Sequence, residues 1–198
     1  MRGTMELTER LDLQRDERLI SPPTLTTPHI ACQERVHVKS FLPRADIEVR
    51  VRDAGGTVIV VVTVTGGWPE PDGALVNLGF ALEEGQLVDA RQVHDGRVSG
   101  WSMPTAVVSI DAAFPIGLPR PVITPGPTLD CGVRVGVGNL PVDFRVTVTN
   151  SVHGDVGGGR VYRDDVCGYD VSEPHETGDV MTARASFCGR TRNCRPRS

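Results

Sequence analysis

Aromatic residues make up only 5% of this 198-residue chain, lysine occurs once, at Lys39, and the longest unbroken apolar run is Val58 to Val62. A five-residue run is strand length, far short of the roughly 18 to 20 residues of a membrane-spanning helix. No basic footprint covers the chain: formal net charge is −4, and since the last ten residues hold Arg190, Arg192, Arg195 and Arg197 with no acid, residues 1–188 carry −8. That argues against nucleic acid as a partner. The first twenty residues lack an apolar signal core and a cleavage site. No two cysteines stand in a C-x2-C pair, so the spacing usual in zinc sites is missing. No motif for a cofactor is found, and none is expected.

What is abundant is valine, with 28 residues, beside 22 glycines and 15 prolines. Valine is stiff at χ1 and suits a pleated surface, while glycine and proline punctuate. The composition therefore predicts many short strands joined by turns.

Two stretches read alike. Cys32-Gln-Glu-Arg-Val36-His-Val38 matches Cys131-Gly-Val-Arg-Val135-Gly-Val137. Pro43 then answers Pro141, Ile47-Glu-Val49-Arg-Val51 answers Phe144-Arg-Val146-Thr-Val148, Ala90-Arg91 answers Ala183-Arg184, and Gly96-Arg97 answers Gly189-Arg190. The order of landmarks is kept while loops lose residues. Within each copy the apolar period is two, which places one strand face in a core and the other in water. Strands are expected over 57–65, 75–81, 86–94, 97–102 and 106–110, with a tight Asp95-Gly96 hairpin.

This pattern, an early Cys, alternation across a Pro turn, then V-x-A-R and a G-R turn, resembles the immunoglobulin-like repeats of bacterial secreted and surface proteins. The resemblance implies an all-β fold of two tandem antiparallel immunoglobulin-like β-sandwich domains and a spacer or binding role, and it carries over no catalytic residue. We place an N-terminal lead, disordered or a short helix, at 1–22, the first domain at 23–112, a Pro-rich linker at 113–124, the second domain at 125–195 and a tail at 196–198.

Four of the five cysteines fall in the last 68 residues, which allows three pairings. Disulfides are expected, and with them an extracellular or cell-surface location. The matching of the two copies suggests a Cys131–Cys188 bond clamping the second sandwich and Cys167–Cys194 as the second pair, with Cys32 unpaired.

The loop Gly66-Gly67-Trp68-Pro69-Glu70-Pro71-Asp72-Gly73 is the candidate contact site: Trp68 offers a large apolar face, and Glu70 and Asp72 can accept hydrogen bonds. Other features have simpler readings. His94-Asp95-Gly96 reads as a turn, Gly157-Gly158-Gly159 as a flexible hairpin tip, and Trp101 as core or domain-interface material. The acidic stretch Glu173–Asp179 reads as a solvated loop without the regular spacing of a calcium site. The expected function is a non-catalytic binding or spacer module meeting a protein or carbohydrate surface, as part of a larger assembly. The alternative is a hydrolytic enzyme with its site at the domain interface.

Overall fold

The structure, a computed structural model, describes residues 20–67, 73–124, 132–162, 166–176 and 178–193. In the first half the strands are β1 (Thr24–Leu25), β2 (His29–Ile30), β3 (Arg35–Lys39), β4 (Ala45–Arg52), β5 (Val58–Gly67), β6 (Ala74–Asn77), β7 (Leu87–His94), β8 (Arg97–Val98) and β9 (Thr105–Val108). They form two layers, β1-β3-β6 against β2-β9-β7-β4-β5, with β8 paired to β7. All pairs are antiparallel except β2 with β9. The period-two reading holds: Ala45, Ile47, Val49 and Val51 are buried along β4, while Asp46, Glu48, Arg50 and Arg52 face outward. Val36, Val38 and Val76 meet them from the opposite layer in one apolar cluster.

The second half holds β10 (Val122–Ile123), β11 (Gly132–Gly138), β12 (Arg145–Asn150), β13 (Gly154–Arg160), β14 (Cys167–His175), β15 (Met181–Phe187) and β16 (Arg190–Asn193). Its strands join in the order β10-β11-β14-β13-β12-β15-β16. Strand β14 serves both layers, pairing with β11 through Cys167 to Asp170 and with β13 through Val171. Both halves are built almost wholly of antiparallel β-strands.

The pairing scheme recurs. β3 with β6, β4 with β5 and β7, and β7 with β8 are answered by β11 with β14, β12 with β13 and β15, and β15 with β16. Backbone conformation fixes the register between them. Ser40 and Arg44 have φ of 58° and 63°, and Asn139 and Asp143, each ninety-nine residues on, have 64° and 77°. Asp95-Gly96 (50°, 75°) is matched by Cys188-Gly189 (48°, 77°), the doubly left-handed turn that suits two-residue hairpins. Val49 lies opposite Ala90, as Val148 lies opposite Ala183. Thus Val49 answers Val148 rather than Val146, and Pro43 answers Val142. The alternation hides such a slip, because a two-residue shift leaves every side chain on the same face.

One element departs from the expected strands. A single-turn helix, α1 (Ile110–Ala113), is capped by Ser109, whose Oγ accepts from the Ala112 N–H at 3.2 Å. It follows the first half, yet Ile110 and Leu118 sit in the apolar cluster of the second, with Ile30.

The cysteine pairing differs from expectation. Cys188 bonds to Cys32, 156 positions away in the sequence, with Cα atoms 5.8 Å apart. Cys188 occupies the left-handed corner of the β15–β16 turn, where it reaches out of its own sandwich toward the turn after β2. The expected Cys131–Cys188 bond is therefore excluded, and Cys167, buried in the second core, forms no disulfide, so it does not pair with Cys194. Cys131 and Cys194 themselves lie outside the described residues.

Candidate functional site

Two features stand out: a clamped seam between the halves, and an outward face on the first half.

At the seam the disulfide is reinforced by charge. Arg160 Nη1 donates to Glu34 Oε2 at 2.6 Å and to Asp143 Oδ1 at 2.9 Å, while Asp143 Oδ2 accepts the Glu34 backbone N–H at 2.6 Å. The Asp143 side chain is 2% exposed, so this junction is worth more than a surface ion pair. Arg160 holds the Glu34 carboxyl below the usual carboxylate range. Gln33 fixes the adjoining turn, accepting from Ile30 N–H at 2.8 Å and donating to the Val142 carbonyl at 3.4 Å. A second pair joins Arg190 in the β15–β16 hairpin to Asp111 in α1, and Arg190 holds that carboxyl down as well. None of these residues stands out in the sequence.

The outward face belongs to β5, β4 and β7. Arg50 grips buried Asp89 through Nε and Nη2 at 2.9 and 2.7 Å, Arg52 adds a third contact at 2.7 Å, and Arg91 pairs with Glu48 at 2.5 Å. Over this ladder lies Trp101, with the guanidinium carbons of Arg50 and Arg91 at 3.9 and 4.5 Å from its ring. Trp101 is thus a half-buried lid on charged side chains and not core material, because the outward residues of β4 and β7 pair opposite charges across the strands and leave two planar guanidinium groups for the indole. Beside it runs β5, the last strand of its sheet, with Ile59 50% and Val61 44% exposed.

Trp68, Glu70 and Asp72 lie outside the described residues. Their flanks are placed: Asp46 Oδ1 accepts the Gly66 N–H at 2.8 Å where β5 ends, and Gly73 at φ +99° returns the chain so close to β3 that a Cβ would lie 2.3 Å from the Val38 carbonyl oxygen. The remaining features resolve simply. His94 accompanies the hairpin turn, 3.3 Å from Asp95 and 3.1 Å from the Pro43 carbonyl. Glu173 to His175 belong to β14 and not to a loop, and Asp179 accepts from Glu176 N–H and Asn150 Nδ2, which closes the following turn. Gly157 to Gly159 lie within β13, not at a hairpin tip. Among the described residues no cluster of three or more His, Cys, Asp or Glu is placed to hold a metal, and no helix is long and apolar enough to cross a membrane.

No protein-family model and no curated protein matches the chain. Among solved structures it is similar to a biofilm-associated protein BSP domain (20% identity, 94% of this chain and 32% of that one, TM-score 0.34). It is also similar to the FN1–FN3 domains of chicken CNTN1 (9% identity, 90% and 63%, TM-score 0.35). A third likeness is to the human OSCAR ligand-binding domain (10% identity, 90% and 96%, TM-score 0.34). The chain spans about a third of the first of these and under two thirds of the second.

Proposed function

We propose that the chain is a non-catalytic binding or spacer module of two immunoglobulin-like domains, 23–112 and 125–195, joined through 113–124. The cross-seam disulfide favours an oxidising, extracellular setting. The contact surface is the loop Gly67–Gly73 with Trp68, Glu70 and Asp72, continued by the outer face of β5 and its neighbours, and its partner is a protein or carbohydrate surface in a larger assembly. The observation that carries this reading is the exposed Ile59 and Val61 on a sheet-edge strand beside the Arg–Trp101 ladder, since contiguous exposed apolar surface marks contact sites. Strand β5 ends at Gly67, one residue before Trp68 in the sequence. The hydrolase alternative has less behind it: no Asp, Glu, Ser or Cys among the described residues lines the larger cavity at the seam, and the carboxylates of its smaller neighbour, Glu34 and Asp143, are both tied to Arg160.

Acrylamide quenching tests the site without knowledge of the partner. In Trp101→Phe protein the emission comes from Trp68 alone, and we expect a red-shifted, readily quenched indole. Trp68→Ala should then abolish retention on a glycan array or on the partner, with the thermal midpoint unchanged. A blue-shifted, quench-resistant Trp68, or a destabilisation of several kcal/mol on truncation, makes it a structural lid and ends the contact proposal.

A further inference from the structure

A cavity of about 550 Å³ opens where the two halves meet, within the size range of small-molecule sites. Its floor is the outer face of β3, where Arg35 and His37 alternate with the core residues Val36 and Val38. One wall comes from the β1–β2 segment, including Pro28 and His29, and the opposite wall from Phe114 and the β11–β12 loop at Leu140 and Pro141. Both halves are needed to complete it. Phe114 is held edge-on to Phe144 of the second core, with ring centroids 5.6 Å apart, so that wall is rigid.

The polar groups of this cavity are left incomplete by the protein. His29 is 2% exposed, and its Nε2 has no hydrogen-bond partner among the described residues. A buried, unsatisfied polar atom of this kind is uncommon in a folded protein and calls for an explanation. Arg35 makes no hydrogen-bonded ion pair with a carboxylate among the described residues, although its charge helps Arg160 hold down the carboxyl of its neighbour Glu34. No carboxylate among the described residues lines the cavity. Positive and hydrogen-bonding groups thus share this cavity with apolar side chains.

We infer that this seam cavity is a binding site for a small organic monocarboxylate, whose apolar body packs against Phe114, Leu140 and Pro141 while its polar end meets Arg35 and satisfies His29 Nε2. Burial keeps His29 uncharged at neutral pH, with its pKa lowered to about 4, so that it serves as a neutral hydrogen-bond partner. None of the described residues of β5 lines the site, and the loop that follows β5 returns at Gly73 beside His37.

Benzoate is a suitable probe, with benzyl alcohol as the same body without the anion. Titrated into the intact chain, benzoate should shift the imidazole nitrogen resonances of His29 and His37 saturably, with a dissociation constant of about 1 mM, as expected for so few atoms. Benzyl alcohol should bind at least about tenfold more weakly, as should benzoate to Arg35→Gln protein, a loss typical of one charge-assisted contact. Leu140→Trp, which fills the cavity, should remove the shifts while the disulfide and the thermal transition persist. Absence of a saturable shift up to about 20 mM benzoate, or benzoate binding indifferent to both Arg35→Gln and Leu140→Trp, overturns the assignment. Trp68→Ala must leave benzoate binding unchanged, which separates this test from that of the contact loop.

Discussion

Strands β5 and β13 hold the same place in the two halves, each paired with the strand before it, and they have opposite compositions. β5 reads Val-Ile-Val-Val-Val-Thr-Val-Thr and ends its sheet with Ile59 and Val61 exposed. β13 reads Gly-Asp-Val-Gly-Gly-Gly-Arg and lies between β12 and β14, which closes the second sandwich along that side. Closure demands close approach. A Cβ on Gly157 would lie 2.5 Å from the Asp170 carbonyl oxygen, and one on Gly158, at φ +143°, 2.1 Å from that of Val146. The first half instead leaves a long uncharged edge, the kind natural proteins usually shorten or charge. The other outer edges follow that custom: β16 carries Arg190 and Arg192, and β2 is two residues long. An edge left open against that tendency is what a contact surface requires.

The largest expected effect concerns the hairpin corner the halves share. Asp95 and Cys188 occupy the same backbone position, but only the second is bonded, to Cys32. The double variant Cys32→Ser/Cys188→Asp gives both hairpins the same corner while releasing the clamp. Closing so long a loop is worth about 4–5 kcal/mol on the chain-entropy account. Urea unfolding of the variant should show a loss of that size, and dithiothreitol should bring the wild-type protein to the same midpoint. A loss below about 1 kcal/mol would mean that the ion pairs and the shared apolar cluster hold the seam alone.

Exchange of the strand compositions comes next. Gly158→Val puts a side chain where two carbonyl-bearing strands converge, in a backbone region that L-residues avoid, and should cost about 3–4 kcal/mol. Val61→Gly in β5 removes only an exposed strand former and should cost about 1 kcal/mol. Chemical denaturation of the two variants ranks them directly. Equal costs would show that β13 does not close the second sandwich as described.

The alternation of Val36, Val38, Val49 and Val51 makes the strands legible from the residues alone, because each contact that defines it is local or repeats every second residue. Asp95-Gly96 is legible for the same reason. Gly157 to Gly159 suggest a tip because glycine runs are common in turns, whereas what excludes a side chain there is the backbone at Val146 and Asp170, reached only through the fold. The seam is invisible on similar grounds. Glu34 and Asp143 are 109 residues apart, and Glu34 and Arg160 are 126 apart, with nothing local to connect them. The cysteines show the limit most plainly. Matching the copies sets Cys188 opposite Asp95 and leaves Cys32 without a partner, which points to a bond inside one sandwich, yet the bond runs between the two. In the proposed contact loop, Trp68 stands out through composition alone, and the exposed strand that precedes it emerges only from the sheet order.

The seam also buries an imidazole, His29, whose Nε2 has no hydrogen-bond partner among the described residues. Burial alone lowers the His29 pKa to about 4, against 6.5 in the unfolded chain. The folded state therefore binds fewer protons than the unfolded state between these values, and stability must rise with pH across that interval. The contribution is complete above pH 6.5 and is lost progressively as the pH falls toward 4, amounting to about 3 kcal/mol over the window. The carboxyls of Glu34 and Asp111 are held down by arginines and titrate lower, so their loss begins where that of His29 is nearly finished. Unfolding free energies measured by urea at pH 7.5, 6, 5 and 4.5 should fall steadily in the wild-type protein and stay nearly flat in His29→Gln protein. A parallel decline in both would place the acid sensitivity in the sandwiches themselves and remove the seam's claim to a buried neutral imidazole.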